Sequence, residues 1–151
     1  MQQLLALLAE HQYIEWHRTS EDSEVVTELF WANPSSLDLL RVFPHVLLMD
    51  CTYKTNRYRM SLLKIVGLTS IDMTFSVAFV YLQHERVKNF NWALDVLRSI
   101  MDDSGLPNVI VIDRELALMN AISRVFSTAK HLLCRWHINK NVLTSVRTCF
   151  Q

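Results

Sequence analysis

Two runs of four apolar residues, each followed by an aspartate, dominate the pattern of hydrophobic and polar positions along the chain. Residues 46–49 lead into Asp50, and residues 109–112 lead into Asp113. A short continuous apolar run bounded by polar residues is typical of a strand that is buried on both faces of a sheet. The pattern therefore predicts two central strands, each with a carboxylate where the strand meets the edge of its sheet.

Around these runs, the spacing of apolar residues predicts further strands and helices. Segments rich in β-branched and aromatic residues favour strands, and apolar residues that recur every three or four positions favour helices. The predicted strands are 13–19, 25–32, 46–50, 60–70, 74–82, 109–113 and 131–134. The predicted helices are 2–10, 36–41, 89–101, 115–126 and 138–150.

Local signals set the limits of several elements. Ser36 is a suitable cap for the short helix after Pro34, and residues 70–73 suit a hairpin connection. Gly105 is a natural end for the helix that starts at Asn89. Three strands in close succession most simply form an antiparallel meander. From Val46 the order β-β-β-α-β-α-β-α predicts an α/β mixed sheet flanked by helices.

Composition narrows the class of protein. The 151 residues, 50% hydrophobic and 20% charged, suffice for one domain with a core. Fifteen basic and fifteen acidic residues leave no net charge, so any DNA contact would have to come from local clusters or from a partner domain. The cysteines, which include no close pair, argue against a disulfide framework. Because no signal peptide and no apolar run of ~20 residues is present, we expect a nuclear or cytoplasmic protein without membrane contact.

Asp50 and Asp113 are the candidate catalytic and metal-binding residues. In open α/β sheets, ligands bind beyond the carboxyl ends of the strands, where two neighbouring strands can place two acids side by side. Paired carboxylates repel each other unless a proton or a metal lies between them, and Mg²⁺ prefers oxygen ligands. The alternative is that each aspartate merely caps a turn or the next helix. The first interpretation predicts a magnesium site.

Longer segments carry a resemblance to a known family. FPHVLLMDCTYKTNRYRMSLLKIVGLTS, NWALDVL, VIVIDRELALMNAI and LLCRWHI resemble the catalytic domain of Mutator-like element (MULE) transposases, in order and in spacing. The same domain occurs in transposase-derived far-red-response transcription factors of plants. The resemblance covers roughly residues 24–142. It implies a ribonuclease-H-like fold and DDE chemistry, in which three acids hold two Mg²⁺ (or Mn²⁺) ions for DNA strand cleavage and transfer.

The family motifs assign roles to particular residues. Asp50 matches the first catalytic acid, Asp113 matches the second, and Cys134 and His137 match a C-x-x-H motif. The family's third acid, a glutamate on a later helix, has no counterpart, since residues 138–151 contain no Asp or Glu. We therefore expect a partial, C-terminally truncated DDE domain over residues 44–151, inactive alone, after a flanking helix and strands over residues 1–43. Contacts with transposon ends would depend on domains outside this chain, and an oligomer is compatible with the sequence.

Other chemistry-bearing residues have a functional and a structural interpretation. Cys134 and His137 could ligate zinc, but a structural site needs four ligands and a second close pair is missing, so zinc is not expected. Glu85 is a candidate replacement acid, but it more simply begins the turn into the helix at Asn89. Glu115 suits the N-terminus of its own helix. Local basic residues are candidate DNA contacts, with a solvated hairpin as the alternative: Lys54, Arg57, Arg59, Lys64, Arg135 and Lys140.

Three functions compete on these observations. The leading one is a transposase catalytic-domain fragment. The second is a non-catalytic DNA-associated or transcription-regulatory protein derived from such a transposase, which would not need both aspartates. The third is a haloacid-dehalogenase-type phosphatase. That chemistry requires an aspartate two positions after the first, where this chain has Thr52, so we discount it.

Overall fold

A computed structural model describes residues 1–53 and 56–135 as a mixed α/β fold. The strands are β1 (Ile14–Thr19), β2 (Val26–Ala32), β3 (Val46–Thr52), β4 (Ser61–Leu68), β5 (Thr74–Leu82), β6 (Val109–Ile112) and β7 (Lys130–Leu133). The helices are α1 (Gln2–Glu10), α2 (Pro34–Val42), α3 (Val87–Ile100) and α4 (Leu116–Val125). None of the helices in the described part of the chain has the length and apolar character needed to cross a membrane.

All seven strands form one mixed sheet in the order β1-β2-β5-β4-β3-β6-β7. The predicted meander is confirmed, because β3, β4 and β5 pair antiparallel with one another. α3 then connects β5 to β6, which pairs parallel with β3, and α4 connects β6 to β7, which pairs parallel with β6. The β1–β2 hairpin extends the sheet beyond β5. The predicted mixed sheet with helices is therefore correct.

One face of the central strands carries the hydrophobic core. Alternate residues of β3, β4 and β6 are buried there against α3 and α4: Leu47, Met49, Leu63, Ile65, Ile110 and Ile112 from the sheet, with Phe90, Leu94, Leu97, Leu118 and Ile122 from the helices. Because side chains alternate along a strand, the intervening residues face the other side of the sheet. Asp50 belongs to this second set, which is why it is exposed while its neighbour Met49 is buried.

Gly67 leaves room for the Phe75 ring of the neighbouring strand. It pairs with Phe75 of β5 across the meander. A Cβ atom at position 67 would lie 2.3 Å from Cζ of the Phe75 ring, which is far inside van der Waals contact. The ring therefore occupies the space that any other residue at position 67 would fill, and packing rather than backbone conformation calls for glycine here.

Two predicted helix boundaries were wrong. Asn33, not Ser36, caps α2: its side chain accepts a hydrogen bond from the backbone N–H of Ser35 (2.9 Å), and Pro34 occupies the first turn, where a missing N–H costs nothing. α3 ends at Ile100, several residues before Gly105, which lies in a short 3-10 turn without a positive φ. The chain leaves that helix because buried Met101 adopts an extended conformation.

A network around the buried carboxylate of Glu28 joins the β1–β2 hairpin to α3. Glu28 of β2 is only 3% exposed. Arg18 of β1 contacts both of its carboxylate oxygens at 3.0 Å, Thr27 donates to Oε2 at 2.6 Å, and Asn89 of α3 donates to Oε1. Arg18 also lies over the ring of Trp92, 5.1 Å from its centroid. Burial acts to raise the pKa of Glu28, but the hydrogen bonds from Thr27, Arg18 and Asn89 outweigh it and lower the pKa.

We expect Arg18→Ala to lower the free energy of unfolding by about 2–4 kcal/mol, because it leaves a buried carboxylate without its cation. Urea unfolding at pH 7 measures this. Arg41→Ala is the control, since it removes an exposed pair with Asp38 that contributes at most about 1 kcal/mol. Equal effects of the two substitutions would contradict the proposed importance of this pair.

Because the pKa of Glu28 is lowered in the folded state, the stabilisation that its ionised carboxylate provides is present above pH 4.5 and is lost as the pH falls further.

Candidate active site

The structure brings Asp50 and Asp113 together at one edge of the sheet. β3 and β6 pair in parallel register up to Met49 and Ile112, and an aspartate directly follows each of these two residues in the sequence. Both line one open cleft of about 320 Å³. The other residues that line this cleft are Leu48, Met49, Lys64, Val66, Val111 and Cys134. The two carboxylates therefore share one surface on neighbouring parallel strands.

The two aspartates differ in where they lie relative to their strands. β6 ends at Ile112, and Asp113 follows it as a half-buried residue whose Oδ1 accepts a hydrogen bond from the backbone N–H of Arg114 (2.6 Å). The prediction that Asp50 also ends its strand was wrong, because β3 continues to Thr52. β4 keeps pairing with β3 beyond the end of β6, through Asp50 with Lys64 and Thr52 with Leu62. Asp50 thus lies within an antiparallel ladder and is exposed.

The cleft combines acids and one amine with an apolar floor. Lys64 lies opposite Asp50 in β4, and its Nζ is 6.0 Å from the centroid of the Phe79 ring. Leu48, Val66 and Val111 supply the apolar surface beside these charges. Electrostatic interactions are stronger beside such low-dielectric surface than in bulk water. The cleft therefore carries charges of both signs beside an apolar surface.

The pair of aspartates fits Mg²⁺ better than zinc. Mg²⁺ is commonly held by one or two carboxylates, with waters and substrate phosphates completing its shell, so two acids in an open cleft are an adequate protein contribution. Within residues 1–53 and 56–135, no group of three or more His, Cys, Asp and Glu side chains is arranged to hold a metal ion. Cys134 is half-buried after β7, and His137 lies outside the described residues. The oxygen donors of the cleft therefore favour a hard cation.

Behind β3, the sheet edge holds a second polar group that the sequence did not indicate. Cys51 is half-buried, and its Sγ lies 3.8 Å from Oε1 of Glu85. The hydroxyl of buried Ser61 donates to the same oxygen at 2.6 Å. Burial, followed by Glu85 and then Glu115 and Asp50, raises the pKa of Cys51 to about 12. The thiol is therefore protonated at neutral pH and does not act as a nucleophile.

The remaining acids follow the sequence prediction in part. Glu115 caps α4, as its side chain accepts a hydrogen bond from the backbone N–H of Ala117 (3.1 Å), which confirms its expected place at the N-terminus of that helix. Glu85 does lie in the turn before α3, but its carboxylate points inward to Ser61 rather than into solvent. Its partners are distant in the sequence, so no local pattern could have revealed them.

The structure describes only some of the basic residues that the sequence offers as DNA contacts. Arg57 donates to the hydroxyl of Tyr58 (2.6 Å) and to Gln3 of α1 (3.2 Å), and it lies over the Tyr58 ring. Arg59 is exposed, with a positive φ of 53°, and Arg135 is exposed next to Cys134 in the sequence. Lys54 and Lys140, like the predicted helix 138–150, lie outside the described residues. Their contact with DNA stays a prediction.

Residues 46–141, which begin at β3 and include both aspartates, match the MULE transposase domain. The chain belongs to this family. The match begins at the first apolar run and includes the C-x-x-H segment, so the resemblance seen in the sequence motifs is confirmed. The MULE assignment identifies the origin of the domain, whereas the roles of Asp50 and Asp113 stay a prediction.

The chain spans only a small part of the curated proteins to which it is similar. The chain is 29% identical to Protein FAR1-RELATED SEQUENCE 5 of Arabidopsis thaliana over 80% of its length, which is 15% of that protein. It is 23% identical to Protein FAR-RED IMPAIRED RESPONSE 1 of the same plant, again over 80% of its length and 14% of that protein. It is also 30% identical over 95% of its length to a segment comprising 3% of the PKS-NRPS hybrid synthetase cheA of Chaetomium globosum.

We expect Cys51 to react slowly with maleimide in the folded MULE domain. In a Cys134→Ser/Cys149→Ser background at pH 8, labelling should be at least about a hundredfold slower than in the urea-unfolded chain, because a pKa of about 12 leaves little thiolate. Mass spectrometry follows the reaction. Ser70→Cys, on the exposed β4–β5 turn of a chain in which all three native cysteines are serine, is the accessible control. Equal labelling of folded and unfolded Cys51 would contradict its raised pKa.

Proposed function

We propose that this chain is the metal-binding part of a MULE-type transposase, with a ribonuclease-H-like fold and Mg²⁺-dependent chemistry on DNA phosphodiesters. The observation that carries the proposal is the shared cleft of Asp50 and Asp113, at the point where the parallel pairing of β3 with β6 ends. Membership in the MULE family supports DNA as the substrate. The antiparallel β5-β4-β3 meander, continued by parallel β6 and β7, supports the proposed fold.

Asp50 and Asp113 would hold Mg²⁺ or Mn²⁺ between them. A bound divalent ion supplies positive charge that activates an attacking hydroxyl and stabilises a leaving oxygen in phosphoryl transfer. The chain itself contributes the placement of that charge, since β3 and β6 fix the two carboxylates side by side. Lys64, beside Asp50 in the same cleft, offers an ammonium group to a non-bridging phosphate oxygen.

We expect the 151-residue polypeptide to be inactive on its own. In the family to which it belongs, DDE chemistry uses a third acid, and this polypeptide has no Asp or Glu among residues 138–151. Two carboxylates leave more of the metal shell to water, which weakens binding and reduces control over the attacking oxygen. We therefore propose that strand transfer requires an acid from outside these residues.

The second candidate function is a transposase-derived DNA-associated or transcription-regulatory protein. Its support is the similarity to the FAR1-related proteins of Arabidopsis thaliana. In this role the sheet would present a surface to DNA or to a protein, and Asp50 and Asp113 would not need to bind metal. Metal binding at the acid pair is therefore the property that separates the two candidates.

Mn²⁺ titration followed by electron paramagnetic resonance tests the acid pair directly. We expect Asp50→Asn and Asp113→Asn each to weaken Mn²⁺ binding more than about tenfold, since even the loss of a second-sphere partner costs 10–100-fold in metal affinity. Asp72→Asn is a matched control, because this exposed turn residue has a positive φ that asparagine tolerates. Binding that is unchanged in both aspartate variants would favour the regulatory candidate.

A supercoiled-plasmid assay with Mg²⁺ or Mn²⁺ tests the activity of the isolated polypeptide. We expect no nicking above that of the Asp50→Ala variant, because the third acid is missing. Nicking that is robust in the unchanged chain and lost in Asp50→Ala would show that two acids suffice here, and would overturn the proposed inactivity while supporting the proposed chemistry.

A further inference from the structure

Glu85 departs from its neighbours in the loop between β5 and α3. Gln83, His84 and Arg86 are exposed, as expected for a connection on the surface, whereas Glu85 is half-buried. Its carboxylate points toward the strand ends that carry Asp50, where Cys51 and Ser61 are its hydrogen-bond partners. Burying part of a charged side chain costs free energy unless its polar atoms find partners, so the inward orientation of Glu85 needs an explanation.

The contacts of Glu85 join two strands at the edge of the sheet. Oε1 accepts from the hydroxyl of Ser61, the first residue of β4, at 2.6 Å, and contacts the thiol of Cys51 near the end of β3 at 3.8 Å. Ser61 is 1% exposed, so this hydrogen bond forms away from bulk water. One carboxylate oxygen therefore holds the end of β3 to the beginning of β4.

The end of β3 needs such an anchor because, among the described residues, β4 is the one strand that still pairs with it there, whereas the earlier part of β3 pairs with both β4 and β6. The pairing with β6 ends at Met49, and only β4 continues beside Asp50, Cys51 and Thr52. Cys51 directly follows Asp50, so a restraint on Cys51 limits the rotation of the backbone that carries the Asp50 side chain. Cys51 and Asp50 face opposite sides of the strand, so Glu85 acts from behind β3 without entering the cleft.

We propose that Glu85 is a positioning residue for the Asp50–Asp113 pair, which through Cys51 and Ser61 fixes the end of β3 and with it the Asp50 carboxylate. This inference rests on the proposed function, since it concerns the ion that Asp50 and Asp113 would hold. Glu85 acts through its hydrogen bonds, as outer-sphere groups do when they orient metal ligands.

Mn²⁺ titration of Glu85 variants tests the proposal. Glu85→Ala removes the acceptor and should weaken Mn²⁺ binding about 10–100-fold. Glu85→Gln keeps an oxygen that can accept from Ser61 and Cys51, so its affinity should stay close to that of the unchanged chain. Ser61→Ala, which removes the donor on β4, should weaken binding in the same direction as Glu85→Ala. Glu24→Ala, an exposed acid near the β1–β2 turn, is the control.

Several outcomes would overturn the inference. Unchanged Mn²⁺ affinity in Glu85→Ala would show that Glu85 does not position the pair. A Glu85→Gln variant as weak as Glu85→Ala would show that charge, not hydrogen bonding, is what matters. Thermal unfolding accompanies each titration, and if Glu85→Ala fails to fold, Glu85→Gln and Ser61→Ala still decide.

Amide hydrogen exchange separates this inference from the proposed function. We expect the amides at the end of β3 to exchange faster in Glu85→Ala than in the unchanged chain, whether or not metal is present. If the unchanged chain binds no Mn²⁺, the proposed function fails and Glu85 loses its role for the ion, while exchange still reports whether Glu85 fixes the strand. Unchanged exchange together with normal Mn²⁺ binding in the unchanged chain would refute the inference alone.

Discussion

The parallel pairing of β3 with β6 is the constraint on which the candidate site depends. In-register hydrogen bonding from Val46 and Val109 onward places the residues after Met49 and Ile112 side by side. Burial of Leu47, Met49, Ile110 and Ile112 against α3 and α4 fixes that register, because a shift by one residue would turn the apolar side chains outward. The same alternation that fills the core therefore determines which face Asp50 occupies.

The sheet edge is more elaborate than two strand ends that each carry an acid. β4 supports Asp50 from one side, Lys64 adds a positive charge in the cleft, and Glu85 contacts Cys51 and Ser61 behind β3. The proposed chemistry on DNA would draw on the two acids for a cation and on the amine for a phosphate. The FAR1-related proteins to which the chain is similar are much longer than it is, and the similar segment is a small part of each.

Much of the fold followed from local sequence pattern. The bounds of α1 and β5 agree with those predicted, and the meander followed from three adjacent apolar segments. Boundaries failed where a partner element decides them: β3 extends to Thr52 because β4 continues to pair with it. Glu85 and Glu28 were beyond local reasoning, because Glu85 bonds to residues 24 and 34 positions away and Glu28 to one 61 positions away. An isolated acid in a sequence gives no sign that it will be buried.

The Glu28 network has a consequence for the far side of the fold. Asn89, which donates to Glu28, belongs to the first turn of α3, and Glu85 lies only four positions earlier in the chain. The hairpin at one margin of the sheet is therefore linked, through the first turn of α3, to the loop whose Glu85 contacts β3 and β4. If the acid pair binds the proposed cation, changes confined to β1 or β2 would reach it through that single helical turn.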